Sequence, residues 1–159
     1  MKLTVDEAFY KYGDRVFAAA FSICQNRADA DDVVQTTFFK YYTLDLDFVS
    51  ETHIKALLLR VAVNQAKDLK KSFWHRNVVQ WEEYMNELPF EQDKDSRLFE
   101  AVMRLPDKYR ISIHLFYYEE YSIQEIAHIL KCREGTVKSQ LSRGRKLLKS
   151  MLLEEWDNE

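Results

Sequence analysis

Seven Lys or Arg residues stand between Lys131 and Lys149 against a single acid, Glu134, in a chain of 159 residues whose net charge is −3. Arg133, Thr136, Lys138, Ser139, Ser142, Arg143 and Lys146 can project outward there. Val137, Leu141, Leu148 and Met151 supply the apolar side of a helix. Guanidinium and ammonium groups neutralise phosphates and can also bridge O6 and N7 of guanine, while Ser and Thr hydroxyls bind base edges or phosphates. Such a face has the chemistry of nucleic-acid recognition. For any single residue of the set, phosphate contact is the commoner fate.

A helix-turn-helix is the element that would position these groups. Ser122 and Glu125 have capping-box spacing, and Ile123, Ile126, Ala127 and Leu130 fall on one face of the helix they start. A break at Lys131–Gly135 separates it from the basic helix, with Ala127 small enough for close approach. Upstream, Phe9, Val16, Phe17, Ala20, Phe21 and Cys24 predict a first amphipathic helix over Val5–Cys24, broken near Gly13. Asn26 is the N-cap expected for a second helix, with Asp29 at its third position and Ala30, Val33, Val34, Phe38 and Tyr41 inward. A third helix, Thr52–Ser72, would bury Leu57, Leu58, Val61, Ala62, Gln65 and Leu69 and then turn basic at Lys67, Lys70 and Lys71, followed by Phe73, Trp74 and Arg76. Between Glu82 and Asp95 six acids and one Lys surround Pro89, which reads as a linker over 77–95. Beyond it, Leu98, Val102 and Leu105, then Ile111, Leu115 and Phe116, predict two more helices punctuated by Pro106. With three Gly and two Pro, and 47% apolar residues, the expectation is an all-α protein of two small domains.

Other chemistry finds little support. Cys24 and Cys132 have no CxxC spacing, the four His have no metal-ligand spacing, and Asp29, Asp31 and Asp32 sit in a helix first turn without a histidine to join them. No Gly-rich phosphate loop or nucleophile motif occurs, so no cofactor, metal or enzymatic activity is expected. The chain carries no long apolar run or signal-peptide pattern, which points to a cytoplasmic protein without membrane insertion.

Three segments resemble, in order, the bacterial sigma-70 family in its extracytoplasmic function (ECF) group: NRADADDVVQTTFFKYY, LLLRVAVNQAKDLKK, and the stretch from LPDKYR to GRKLL. Thr36 stands where the family often has Glu, Leu57 where it often has Trp, Gln140 where Arg is frequent, and Gly144 where Ala is. Lys131 takes a turn position often held by Gly, which would call for a positive φ. The resemblance implies domain 2 over 1–76, the linker 77–95, and domain 4 over 96–159. It implies core RNA polymerase and promoter DNA as partners, with an anti-sigma factor that could hold the protein at the membrane. Asp31, Asp32, Gln35, Thr36 and Phe39 would meet the polymerase, their acceptors, amide and aromatic ring suiting an interface as well as a solvated face. Arg60, Asn64, Lys67, Asp68 and Lys71 would meet the −10 element. Asn64 would offer a donor and an acceptor to an unstacked base beside a basic track, Asp68 would orient the lysines or touch the DNA, and Phe73 or Trp74 would stack or pack. The basic helix would meet the −35 element. A helix-turn-helix regulator that does not engage polymerase is the competing reading, and core binding separates the two.

Overall fold

The computed structural model describes residues 1–72 and 97–157. The linker 77–95 and the residues Phe73, Trp74 and Arg76 lie outside the described residues. The chain divides into two compact units, and the described parts of both are helical.

The first unit is a bundle of α1 (Val5–Cys24), α2 (Arg27–Thr43) and α3 (Glu51–Ser72), each packed against the other two. Thr4 caps α1 through a capping box, its hydroxyl accepting from the Glu7 amide while the Glu7 carboxylate accepts from the Thr4 amide. Gly13 does not break α1. The Phe9 ring lies over it, and Phe9 stays half-exposed with its edge toward Phe38 at 5.2 Å. From Val16 to Ile23 every residue of α1 is buried. This is the pattern of a helix walled on more than one side, and the run Ala18–Ala19–Ala20 lets its neighbours come close. Asn26 caps α2 as expected, accepting from the Asp29 amide at 3.0 Å.

In α3 the buried stripe is Ile54, Leu58, Leu59, Ala62, Val63 and Ala66, whereas Leu57, Val61, Gln65 and Leu69 are only half-buried. Both sides of Leu58 and Ala62 are apolar, so the helix can complete its stripe in either direction, and packing against α1 and α2 selects the second. Glu51 ties the start of α3 to α1. It accepts from Lys11 at 2.7 Å and from the Tyr12 hydroxyl at 3.0 Å, and these donors hold its carboxyl below the ordinary range. At the other end the Lys70 ammonium donates to the Ile23 carbonyl at 3.2 Å, satisfying the C-terminus of α1 where the helix dipole favours a cation.

The second unit contains α4 (Arg97–Met103), α5 (Asp107–Ile113), a π-helical turn (His114–Tyr118), α6 (Ile123–Leu130) and α7 (Glu134–Asp157). Val102 and Leu105 are buried as expected, but Leu98 is exposed. Arg110 is buried at 2% exposure. Its guanidinium donates to the Leu105 carbonyl at 2.6 Å and the Met103 carbonyl at 3.5 Å, and it pairs with Asp107. It therefore ends α4 and starts α5 with one side chain. The extra residue of the π-helical turn shifts the helical register, so Leu115 is buried while Phe116 is displaced to the half-exposed flank.

Ser122 and Glu125 form the expected capping box on α6. Ile126, Ala127, Ile129 and Leu130 are its buried residues, and Ile123 is only half-buried. Lys131 then adopts the left-handed conformation at φ 54°, and the Cys132 amide reaches back to the Ala127 carbonyl, closing a Schellman turn. Along α7, Val137, Leu141, Gly144 and Leu148 are buried, and Met151 is half-buried. A Cβ at Gly144 would lie 3.2 Å from Ile113, so α5 and α7 come close together at this glycine. A left-handed Lys costs about 1–2 kcal/mol, partly offset by the greater entropy that Gly loses on folding. Lys131→Gly should therefore stabilise the second unit by about 0.5–1 kcal/mol in thermal melts, with DNA binding retained.

Candidate nucleic-acid and partner interfaces

The basic face of α7 is built by its opposite side. Val137 and Leu141 are held at 0% and 1% exposure against α5 and α6, which turns Thr136, Lys138, Ser139, Ser142, Arg143 and Lys146 to the surface, and Arg133 is exposed in the turn just before α7. The sequence charge count includes two residues that leave this face. Arg145 donates to the Tyr117 hydroxyl at 2.7 Å and lies over the Phe116 and Tyr117 rings at 5.6 and 5.7 Å. With Lys149 it borders an apolar groove of about 580 Å3 lined by Leu98, Val102, Tyr118, Leu148, Leu152 and Leu153. Burial there pushes the Tyr118 phenol up. The groove escaped sequence reading because its residues have the spacing of core.

On α3, Arg60, Asn64, Lys67, Asp68 and Lys71 fall on one side at about 100° per residue, opposite the stripe of Ile54, Leu58, Ala62 and Ala66. Arg60, Asn64 and Lys67 are half-buried, and Asp68 and Lys71 are exposed. Arg60, Lys67 and Asp68 also carry contacts within the chain. Leu57 and Val61, expected in the core, flank Arg60 and Asn64 instead, so the polar set has an apolar margin. Lys70 is drawn off this track by the Ile23 carbonyl.

On α2, Asp31, Asp32, Gln35 and Phe39 are exposed, Phe39 at 67%, and Thr36 is half-buried. Asp31 pairs with Arg27 at 3.8 Å, an exposed contact of little energetic weight. Tyr42, one turn beyond Phe39, is exposed at 69% and extends the aromatic edge. Sequence reasoning passed over it, although its spacing from Phe39 was a signal. Asp29 is buried at the start of α2 and does not join Asp31 and Asp32 at the surface. Among the described residues no helix is long and apolar enough to cross a membrane.

Two family models match this arrangement: sigma-70 region 2 over residues 9–76 and sigma-70 region 4 over residues 96–148. The RNA polymerase sigma factor SigV of Bacillus subtilis is 30% identical over 141 residues, covering 87% of this chain and 85% of that one. The ECF RNA polymerase sigma factor SigM of the same organism is 26% identical, covering 94% and 95%. Among solved structures, the sigma factor RpoE in complex with the anti-sigma factor NepR from Bartonella quintana superposes with a TM-score of 0.68 at 21% identity, covering 92% of this chain and 95% of that one. CnrH in complex with the cytosolic domain of CnrY gives 0.66 at 26% identity, covering 93% and 86%. The chain belongs to the sigma-70 family, in its ECF group of RNA polymerase sigma factors.

Proposed function

We propose that this chain serves as the promoter-recognition subunit of RNA polymerase, a binding factor and not an enzyme, with one task on each exposed face. Domain 2, residues 1–76, engages core polymerase through Asp31, Asp32, Gln35, Thr36 and Phe39, and the −10 element through Arg60, Asn64, Lys67, Asp68 and Lys71. Domain 4, residues 96–159, reads the −35 element with Arg133, Thr136, Lys138, Ser139, Ser142, Arg143 and Lys146, and residues 77–95 link the two. The observation that carries the reading is that each polar set, apart from Arg133 in the turn before α7, lies opposite the buried stripe of its own helix, so the surfaces are presented without cost to the core. An anti-sigma factor is the proposed regulator, since the similar structure from Bartonella quintana is a sigma factor in complex with one. The site of action is then the cytoplasm, with the anti-sigma factor able to hold the protein near the membrane.

The two DNA surfaces should separate by the kind of DNA they need. Arg143→Ala and Lys138→Ala should weaken duplex −35 binding by about 1–3 kcal/mol where a base contact is lost, relaxing specificity at one position. Where a phosphate contact is lost, all sequences weaken alike and the salt dependence flattens. Asn64→Ala should leave the closed complex intact and block opening. Permanganate reactivity of promoter thymines, read beside footprinting of the holoenzyme, distinguishes these outcomes. If Asn64→Ala opens DNA like wild type, the −10 assignment fails and the −35 assignment stands on its separate helix.

A further inference from the structure

We infer that the apolar groove of the second unit is a docking site for this chain's own segment 81–88, with Trp81, Tyr84, Met85 and Leu88 as its anchors and its acids set against Arg145 and Lys149. The groove, of about 580 Å3, is lined by residues of α4, the π-helical turn and the last turns of α7. Leu98, Tyr117 and Leu153 line it and are each about half-exposed. A contiguous apolar surface of this kind marks an interaction site. Among the described residues that line it, Arg145 and Lys149 are the only charged ones. The groove therefore calls for an apolar stripe bordered by acids.

Residues 81–88 read WEEYMNEL. Trp81, Tyr84, Met85 and Leu88 stand at i, i+3, i+4 and i+7, the spacing by which an amphipathic helix offers anchors to a groove. Glu82, Glu83 and Glu87 take other positions, no cation stands among them, and Pro89 follows, where such a helix would stop. Two features favour this segment over a separate molecule or a second copy. Only residues 89–96 lie between it and α4, whose Leu98 lines the groove. At about 3.3 Å per residue that connection reaches some 25 Å, enough for the segment to turn back onto the groove. A tether this short gives an effective concentration of roughly millimolar order, which a free partner would have to match. The second compact unit also runs from Trp81 to Glu159 and so takes in the segment together with the groove. In the isolated chain the segment then covers the groove, and any partner that uses the groove must displace it.

The test uses the full chain carrying Trp81→Ser, Tyr84→Ser, Met85→Ser and Leu88→Ser, and a fluorescein-labelled peptide of residues 77–95 as probe, read by anisotropy. The peptide should bind this variant and bind the unsubstituted chain at least tenfold more weakly, because there the tethered segment holds the groove. Adding Leu98→Gln and Leu153→Gln to the variant should abolish peptide binding; both positions are exposed, and circular dichroism melts check that the fold is kept. Lys149→Glu should weaken binding about threefold, and a peptide with Glu82→Lys, Glu83→Lys and Glu87→Lys should recover it. A second measurement leaves the segment intact. With Trp74→Phe and Trp156→Phe, Trp81 is the remaining tryptophan of the three, and Leu98→Gln with Leu153→Gln should raise its acrylamide quenching severalfold. Equal peptide binding by variant and unsubstituted chain, binding by neither, binding that survives Leu98→Gln and Leu153→Gln, or Trp81 quenching that ignores them would each overturn the inference. A four-Ser variant that dimerises in light scattering and takes up no peptide would mean that the groove receives a second copy, which also overturns it. None of these outcomes touches the polymerase, −10 or −35 readings, which rest on other residues.

Discussion

Replacing Arg110 with Ala should lower the melting transition of the second unit by about 10–20 °C in the full-length chain. The substitution leaves the Leu105 and Met103 carbonyls without the donors they have now, in a site where the Arg is 2% exposed. A buried acceptor that loses its donor costs about 1–3 kcal/mol, and each kcal/mol moves the transition of a domain this size by about 4–8 °C. Arg110→Lys should recover less than half of the loss, because an ammonium is a point donor and cannot span two carbonyls and Asp107 as the planar fork does. The consequence for DNA is indirect but large. Arg110 sets where α5 begins, and α5 supports α7 through the close contact of Ile113 with Gly144, so −35 binding should fall with the fold. A melt of Arg110→Ala superimposable on wild type would show that α4 and α5 are held together by packing alone.

Asp32→Lys combined with Gln35→Lys should weaken binding to core RNA polymerase at least tenfold, or about 1.4 kcal/mol, and leave the fold unchanged. Both side chains are exposed, and the N-terminus of α2 is capped by Asn26 acting on the Asp29 amide, so neither substitution touches what holds the helix. A partner surface that accepts an acid and an amide would instead meet two ammonium groups, and Phe39 beside them would lose a seated position. Unchanged pull-down with core enzyme, together with native circular dichroism, would make this face a solvated one.

What could be read from the sequence was local. The Asn26 cap and the Ser122–Glu125 box depend on residues three apart, and both are in place. The left-handed Lys131 follows from the short turn that the helix-turn-helix pattern demands. The grouping of Arg60, Asn64, Lys67, Asp68 and Lys71 on one side of α3 is likewise a matter of spacing. The roll of α3 was not legible, because Leu57, Val61 and Leu69 compete with Leu59, Val63 and Ala66 on equal apolar terms and only the neighbouring helices decide. The π-helical turn lies in HLFYY, where every residue could pack, so no change of polarity marks the shift that displaces Phe116. Arg110 and Lys70 escaped for a related reason. Their partners are backbone carbonyls, which no side-chain pattern announces.

Run-off transcription with purified core RNA polymerase tests the central claim most directly, on a template carrying a promoter that the holoenzyme selects from a random pool and on a control template with that promoter scrambled. Added to core enzyme, the protein should produce a transcript of defined start from that template and none from the scrambled control. The transcript should disappear with Asp32→Lys/Gln35→Lys and with Arg143→Ala. If the protein binds duplex DNA but yields no transcript and does not comigrate with core enzyme, it is a helix-turn-helix regulator that does not act as a sigma subunit.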